Sequence, residues 1–362
     1  MGGAREFAID ADLVKARASD CVRELAAELL PNGREVCGFW RTGSIADDPG
    51  QSLAVTLTGA QRGMWCDHAT GEGGNIIQLA QQAAFRGDFS AAFAWLKSKL
   101  GLDDLDPARL RKVRAEASAQ AERSDRDAAA AAEQRRRNAH GLWLAGKPIA
   151  GTPVEAYLRT RGIPLERLTV SGQAHLPGCL AFHPELYCKE VNRKLPAMMA
   201  SVVDAAGRHL ATHRTWLAPD GRGGWGKADL EDAKKALGSF KGGFIPLWKG
   251  EHRRSMAELP DGVDLWASEG VEDGLSAAAA KPELRVIAAV TLGNLGDVPP
   301  PPAGGRLMII GQRDTNPKTL EHLERAIARQ QERGVEVWLT PPPAGGFKDV
   351  NEALQAERRA AA

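Results

Sequence analysis

From Val263 onward the chain alternates short apolar runs with amphipathic stretches of ten or more residues, and few folds accept that rhythm. The runs VDLWASEG, RVIAAVT, RLMIIGQRD and VEVWLT are interleaved with EDGLSAAAA and KTLEHLERAIARQQERG and closed by KDVNEALQAERR. Apolar strands joined by crossover helices imply an α/β architecture built on a parallel sheet. Ligands of such sheets bind outside the carboxyl ends of the strands. The polar residues at those ends are Ser268-Glu269-Gly270, Thr291-Leu292-Gly293-Asn294, Gln312-Arg313-Asp314 and, in the last loop, Lys348-Asp349.

Three acids are therefore expected on one edge of the sheet: Glu269 and Asp314, each following a strand, and Asp349 in the final loop. This suits a hard cation, because Mg²⁺ needs only one or two carboxylates beside waters and substrate phosphates. Taken singly, each acid reads equally well as an N-cap for the helix that follows it. All three together, with their intervening glycines, are harder to explain that way.

The N-terminal 103 residues read as a small α+β module. An amphipathic helix is expected over residues 10–30, then strands at Val36–Arg41 and Leu53–Leu57. A third starts at Met64-Trp65, and Asn75 caps the helix IIQLAQQAAF. Residues 104–140 are dominated by Ala, Arg, Glu, Asp and Gln without a sustained apolar stripe. A solvated helix and a flexible tether both fit. Between residues 141 and 260 a helical entry, TPVEAYLRTRGI, precedes the strands LAFHP, PAMMASVVD, HLATHRTWL and FIPLW, a mostly antiparallel subdomain. His213 in that section reads as structural, and the prolines at 299–302 as a stiff loop.

Net charge is +1, from 47 Lys+Arg against 46 Asp+Glu, so no global field draws the chain to a polyanion. Any nucleic-acid affinity must come from local patches. The five cysteines are odd in number and scattered, which argues against a disulfide framework and for a reducing cytoplasm. No h-region opens the sequence and no run of eighteen apolar residues occurs, so neither secretion nor membrane spanning is expected. A Walker A pattern is absent, which argues against a built-in helicase motor.

The motifs ASEGVEDGLSAA, VTLGNL, IIGQRD and GGFKDVNEAL resemble, in that order, the toprim domain shared by bacterial primases, topoisomerases and related nucleases. Upstream, TPVEAYLRTRGIPLERL, LPAMMASVVDAAGRHLATHRTWL and KKALGSFKGGFIPLWKG are similar to the core that precedes the metal site in bacterial-type primases of phages and mobile elements. The resemblance spans roughly residues 151–355. It implies a toprim domain over 261–356 joined to a primase-core subdomain over 141–260. Glu269, Asp314 and Asp349 would be catalytic, with Gln312 joining them as metal ligands for Mg²⁺ or Mn²⁺. Gln312 stands where the family expects the first acid of an Asp-x-Asp pair, so one carboxylate has become a neutral amide. Arg214, Lys227, Lys234, Lys235, Lys241 and Lys348 would hold template or nucleotide; a solvated basic loop is the plainer reading of the stretch.

VCGFW and MWCDHATGEGGNIIQLA follow the outline of the zinc ribbon that begins many primases, but the ligand spacing is degenerate. Trp40, Asp67 and Thr70 occupy expected ligand places, so zinc is not expected. Cys37, Cys66 and His68 are the residues that could still offer a site. The resemblance thus implies a primase-like nucleotidyltransferase acting on single-stranded DNA with nucleoside triphosphates, and a replicative helicase as a further partner. The alternatives are a DNA-binding accessory protein with a degenerate site and a toprim nuclease.

Overall fold

The computed structural model describes residues 11–59, 61–102, 107–170, 172–341 and 343–360. It divides into two compact units, Met1–Ala131 and Ala132–Ala362.

In the first unit the apolar stripe expected over residues 10–30 forms two helices, α1 (Ala11–Asp20) and α2 (Val22–Leu29). Residue 10, the expected start, lies outside the described residues. Strands β1 (Arg34–Val36), β2 (Phe39–Thr42), β3 (Leu53–Thr56), β4 (Met64–Asp67) and β5 (Gly73–Asn75) make an antiparallel meander in chain order. Asn75 opens α3 (Ile76–Ala83) with a capping box: its side chain accepts from the Ile77 and Gln78 amides while Gln78 accepts from the Asn75 amide. Such reciprocal caps are worth about 1 kcal/mol. Helix α4 (Phe89–Lys99) follows, capped by Asp88. Leu13, Leu25, Leu53, Trp65, Ile76 and Leu96 bury together at the centre of this unit.

Cys37 lies in the β1–β2 turn, whereas Cys66 sits in β4 opposite Ala54, which pairs with Arg41. Arg41 is the third residue of β2, so Cys66 pairs across the sheet about two strand steps, roughly 7 Å, beyond the start of β2 that the Cys37 turn feeds. Cys37 and Cys66 therefore do not share an end of the sheet. The turns that would carry ligands are closed by hydrogen bonds. Buried Asp67 accepts from the Ser52 hydroxyl and the Ala69 amide, both 2.9 Å, and Thr70 accepts from the Glu72 amide. The Trp40 indole donates to the Leu30 carbonyl at 3.0 Å.

The spacer sequence forms one helix, α5 (Pro107–Leu144), across the boundary of the two units. Residues 103–106 lie outside the described residues. In the second unit, α6 (Pro153–Thr160) and a two-stranded ribbon, β6 (Thr169–Val170) with β7 (Gln173–Ala174), lead into an antiparallel sheet. Its strands are β8 (Leu180–Cys188), β9 (Arg193–Val203), β10 (His209–Pro219), β11 (Trp225–Lys227) and β12 (Lys234–Gly238). Their order is β11-β10-β9-β8, with β12 also paired to β10.

The next strand, β13 (Ile245–Trp248), corrects one expectation. FIPLW reads in sequence as part of the antiparallel subdomain, yet β13 is the edge strand of the C-terminal sheet, antiparallel to β15. An edge strand joined by a long connection leaves no signature in the alternation that reveals its neighbours. That sheet holds β14 (Leu265–Ser268), β15 (Arg285–Ala288), β16 (Leu307–Ile309) and β17 (Val337–Leu339), all mutually parallel, in the order β13-β15-β14-β16-β17. Helices α7 (Val271–Ala280), α8 (Pro317–Glu332) and α9 (Val350–Ala360) complete it.

Both faces of the central strands β14 and β15 are covered, as strands fed by crossovers require, whereas Trp338 and Leu339 of the edge strand β17 are exposed. Val286 and Ala288 face a core with Leu275 and Ala278 of α7 and Leu217 of β10. Leu265, Ala267, Ile287 and Ile309 face the opposite core with Ala326 of α8. Gly274 lets α7 lie close on the strands, since a Cβ there would strike the Leu247 and Ser268 side chains. From β14 the chain passes first to β15 on one side and later to β16 on the other. The topological switch point is thus the gap between the carboxyl ends of β14 and β16.

Candidate functional site

Glu269 leaves the end of β14 at that gap, and Gln312 and Asp314 follow β16 across it. All three line one cavity, backed by apolar side chains that include Leu292, Leu295 and Leu323. Asp314 also accepts from the Asn316 amide at 2.8 Å, and Asn316 in turn caps α8.

The acids of the first turn of α7, Glu272 and Asp273, sit where negative charge favours a helix N-terminus. Their environments differ sharply. Glu272 is 5% exposed, and both its oxygens are engaged. Oε1 accepts from the Tyr157 hydroxyl at 2.6 Å and meets Lys227 Nζ at 3.2 Å; Oε2 meets Lys234 Nζ at 3.3 Å. Burial alone would raise this carboxyl, but Lys234, Lys227 and the Tyr157 hydrogen bond hold it well below the usual range. Burial and the adjoining carboxylate push the Tyr157 hydroxyl far up, so it remains a donor.

Asp273 has no cation paired to it comparably. Its Oδ2 accepts from Gln312 Nε2 at 2.7 Å and its Oδ1 from the Asn351 amide at 3.3 Å. Burial, then the neighbouring Asp349 carboxylate, pushes it up to about 6. Asn351 is fully buried and donates to the Arg161 carbonyl and the Ser276 hydroxyl, which fixes the start of α9 against α7. Asp349, two residues earlier, accepts from the Glu352 amide at 2.8 Å in the manner of a helix cap.

The acidic edge thus has two parts joined by Gln312. One is the cavity bearing Glu269 and Asp314; the other is the Asp273–Asp349 pair. The amide in place of an acid donates to Asp273, where a second carboxylate would repel it. Among the described residues, no three His, Cys, Asp or Glu side chains make a ready metal cluster. The donor set still suits Mg²⁺, which takes few protein oxygens and completes its shell with water and phosphate. Glu269, Asp314 and the Gln312 carbonyl are the candidate ligands on the cavity, with Asp273 and Asp349 beside them.

The six basic residues separate. Opposite residues of paired strands share a face. Lys227 opposes Leu217 and Lys234 opposes Thr215, so both lie on the face turned to α7 and Glu272. Lys234 Nζ is also within 4.0 Å of the space above Gly270. Lys235 opposes Arg214 on the other face, and Arg214 donates to the carbonyls of Lys235 and Ala236 and lies 5.2 Å over the Trp216 ring. The resemblance implies that all of these hold template or nucleotide; strand alternation divides them between two faces. Lys241 is exposed in the turn before β13. Lys348 is exposed, with its amide bonded to Glu352 and its carbonyl to the Arg313 amide.

Sequence reasoning missed Glu272, Asp273 and Tyr157. The available signal was two adjacent acids opening a helix otherwise composed of Val, Gly, Leu, Ser and Ala, where a solvated face would show more polar residues. His213 is buried beside Lys234 and Glu272, its Nδ1 has no hydrogen-bond partner, and burial followed by Lys234 pushes it down to about 4.

Comparisons with known proteins bear on the same residues. A domain of unknown function, DUF7146, matches residues 133–247, and the Toprim domain family matches residues 264–360. Among curated proteins none matches the chain. Solved structures similar to it include the zinc-binding and RNA polymerase domains of the Aquifex aeolicus primase, 16% identical over 97% of this chain and 85% of that one, with a TM-score of 0.37. A DNA primase domain from Pseudomonas aeruginosa is 14% identical over 62% and 77%, with a TM-score of 0.38. The primase fragment of the bacteriophage T7 primase-helicase is 14% identical over 46% and 62%, with a TM-score of 0.30. Likenesses at these scores decide nothing about the site, and the assignment rests on the family match and the sheet beneath it. With its acids disposed about the switch point of a mostly parallel sheet, the segment 264–360 is a toprim domain.

Proposed function

We propose that the chain is a primase-like nucleotidyltransferase that extends primers on single-stranded DNA from nucleoside triphosphates. The observation that carries this reading is the shared cavity of Glu269, Gln312 and Asp314 at the switch point, with Lys234 at the Glu269-Gly270 turn. A bound Mg²⁺ or Mn²⁺ would neutralise charge developing on the phosphates. Glu269 and Asp314 would hold it at the cavity, with Gln312 adding its carbonyl. Lys227 and Lys234, with Glu272 between them, leave one net positive charge beside the cavity to orient a phosphate. Tyr157 fixes Glu272 and so the positions of both lysines. A replicative helicase is the partner we propose for strand unwinding.

A second reading is favoured by one specific observation. Gln312 supplies a neutral amide, its Nε2 bonded to Asp273, where the family expects a carboxylate, and no ready cluster of three metal-binding side chains exists among the described residues. A DNA-binding accessory protein with a weakened site fits that arrangement. Primer synthesis with labelled nucleotides on single-stranded DNA, run beside nicking of supercoiled plasmid across a Mg²⁺ series, separates the readings. We expect primers, and a loss of about 10²–10³-fold on Glu269→Gln with strand binding retained. Nicks would transfer the same acids to a nuclease, and binding without either product would establish the accessory role.

A further inference from the structure

A second cavity lies at the opposite end of the C-terminal sheet from the acids. Strand β13 runs antiparallel to β15, so Pro246–Gly250, at and beyond its end, come beside the amino end of β15. There a cavity of about 570 Å³ opens, within the range of small-molecule sites. Its floor is buried: Cys179, Leu247 and Trp248, with Ser201 supplying a polar group. The Trp248 ring is held by its indole N–H, which donates to the Pro282 carbonyl at 2.7 Å. Trp143, half-buried at the end of α5, forms another wall and is braced by His209, its ring 6.4 Å away and inclined 26°. At the mouth stand His175, Lys249 and Arg253, all exposed.

Two indoles inside and three basic residues at the rim, with no carboxylate among the described lining residues, define the ligand chemically. Apolar contact alone would not call for the basic rim, and a bare anion would not call for the indoles. We propose that this cavity binds a nucleoside phosphate unit, its base against Trp143 and Trp248 and its phosphate against Lys249 and Arg253. Stacking of bases on aromatic rings tolerates any base, and Lys and Arg bind phosphate oxygens without reading sequence. The only thiol in the lining, Cys179, is pushed up to about 12 by burial, so the cavity offers a binding site and no thiolate nucleophile. The unit is either a free nucleotide or one residue of a single strand. Neither source depends on the toprim acids.

The test is equilibrium binding to the full chain in EDTA, which silences metal-dependent sites. The probes are dAMP, a short oligo(dA), adenosine and inorganic phosphate. We expect dAMP or the oligonucleotide to bind well above adenosine and phosphate, and Lys249→Glu with Arg253→Glu to weaken that binding by about tenfold or more, the size of one lost stacking or charged contact. Trp143→Ala should weaken it comparably and Trp143→Phe restore it, while Glu269→Gln leaves it unchanged. Binding of dAMP identifies a free nucleotide; binding of oligo(dA) alone identifies a unit within a strand. Failure of both probes, or binding that survives the double charge reversal, overturns the proposal. Because the probes are read without metal, these outcomes are independent of primer synthesis.

Discussion

Two places in the chain stand where the family resemblance expects metal ligands, and they have been resolved in opposite ways. In the N-terminal meander the β4–β5 turn is closed by uncharged donors: Asp67 accepts from the Ser52 hydroxyl and the Ala69 amide, and Thr70 from the Glu72 amide. At the end of the parallel sheet the carboxylates remain crowded. Glu272 takes two lysines, while Asp273 is left with an amide, a backbone N–H and a carboxylate neighbour. The first arrangement needs nothing further to satisfy its polar groups. The second keeps unspent charge, which is what a binding site requires.

Removing Glu272 should test this contrast most severely. Glu272→Gln strands two lysines against a buried amide, and breaking such a buried pair costs about 3–5 kcal/mol. Because both lysines retain partial access to water, we expect about 2–3 kcal/mol, read as a lower urea midpoint. A loss under about 0.5 kcal/mol would mean the cluster is hydrated and the sheet edge is no more strained than the turn.

The His213 imidazole provides the next effect. Its folded value, about 4, lies below its ordinary value of 6.5, so the stability it contributes is present above pH 6.5 and is lost as pH falls toward 4. Across that interval the loss is on the order of 2 kcal/mol. His213→Gln should flatten the decline in melting temperature between pH 7 and 4.5; parallel curves for the two proteins would show that the ring titrates freely. His209, also pushed down to about 4, remains in both proteins and does not affect the difference.

In the N-terminal unit Asp67→Ala should cost about 1–2 kcal/mol by orphaning the Ser52 and Ala69 donors, whereas a chelator should leave the melting temperature unchanged. A melting temperature that drops in EDTA, with stoichiometric zinc on elemental analysis, would make the two regions alike. The smallest effect concerns Gln312→Asp. It replaces a donor to Asp273 with a repelling carboxylate, so the metal-free protein should lose about 1 kcal/mol while Mg²⁺ binds several-fold tighter. Equal Mg²⁺ affinity would place Gln312 outside the binding set.

The parallel sheet was legible because its strands are continuous apolar runs separated by helices of the right length. The position of Glu269 was legible because an acid directly after a strand can only emerge at that strand's carboxyl end, and Asp314 lies in the loop that leaves β16 at the same end. Asp273 was hidden inside a helix start, where an acid is unremarkable until burial is known. The division of Lys234 from Lys235 was legible in principle, since neighbours in a strand point to opposite faces. It was obscured because Glu231 and Asp232 made the stretch read as a loop. The identity of β13 could not be read at all, because its partner lies beyond an intervening strand and helix.

That placement of β13 matters when the chain is made. Its last residue, Trp248, is synthesised 37 residues before the first residue of β15. At about 5–20 residues per second, the strand waits roughly 2–7 seconds for its neighbour to leave the ribosome. During that interval an apolar IPLW segment stands with an open hydrogen-bonding edge. The Phe244–Val203 bridge just before it is already available, and anchors the segment to finished structure until the sheet can close over it.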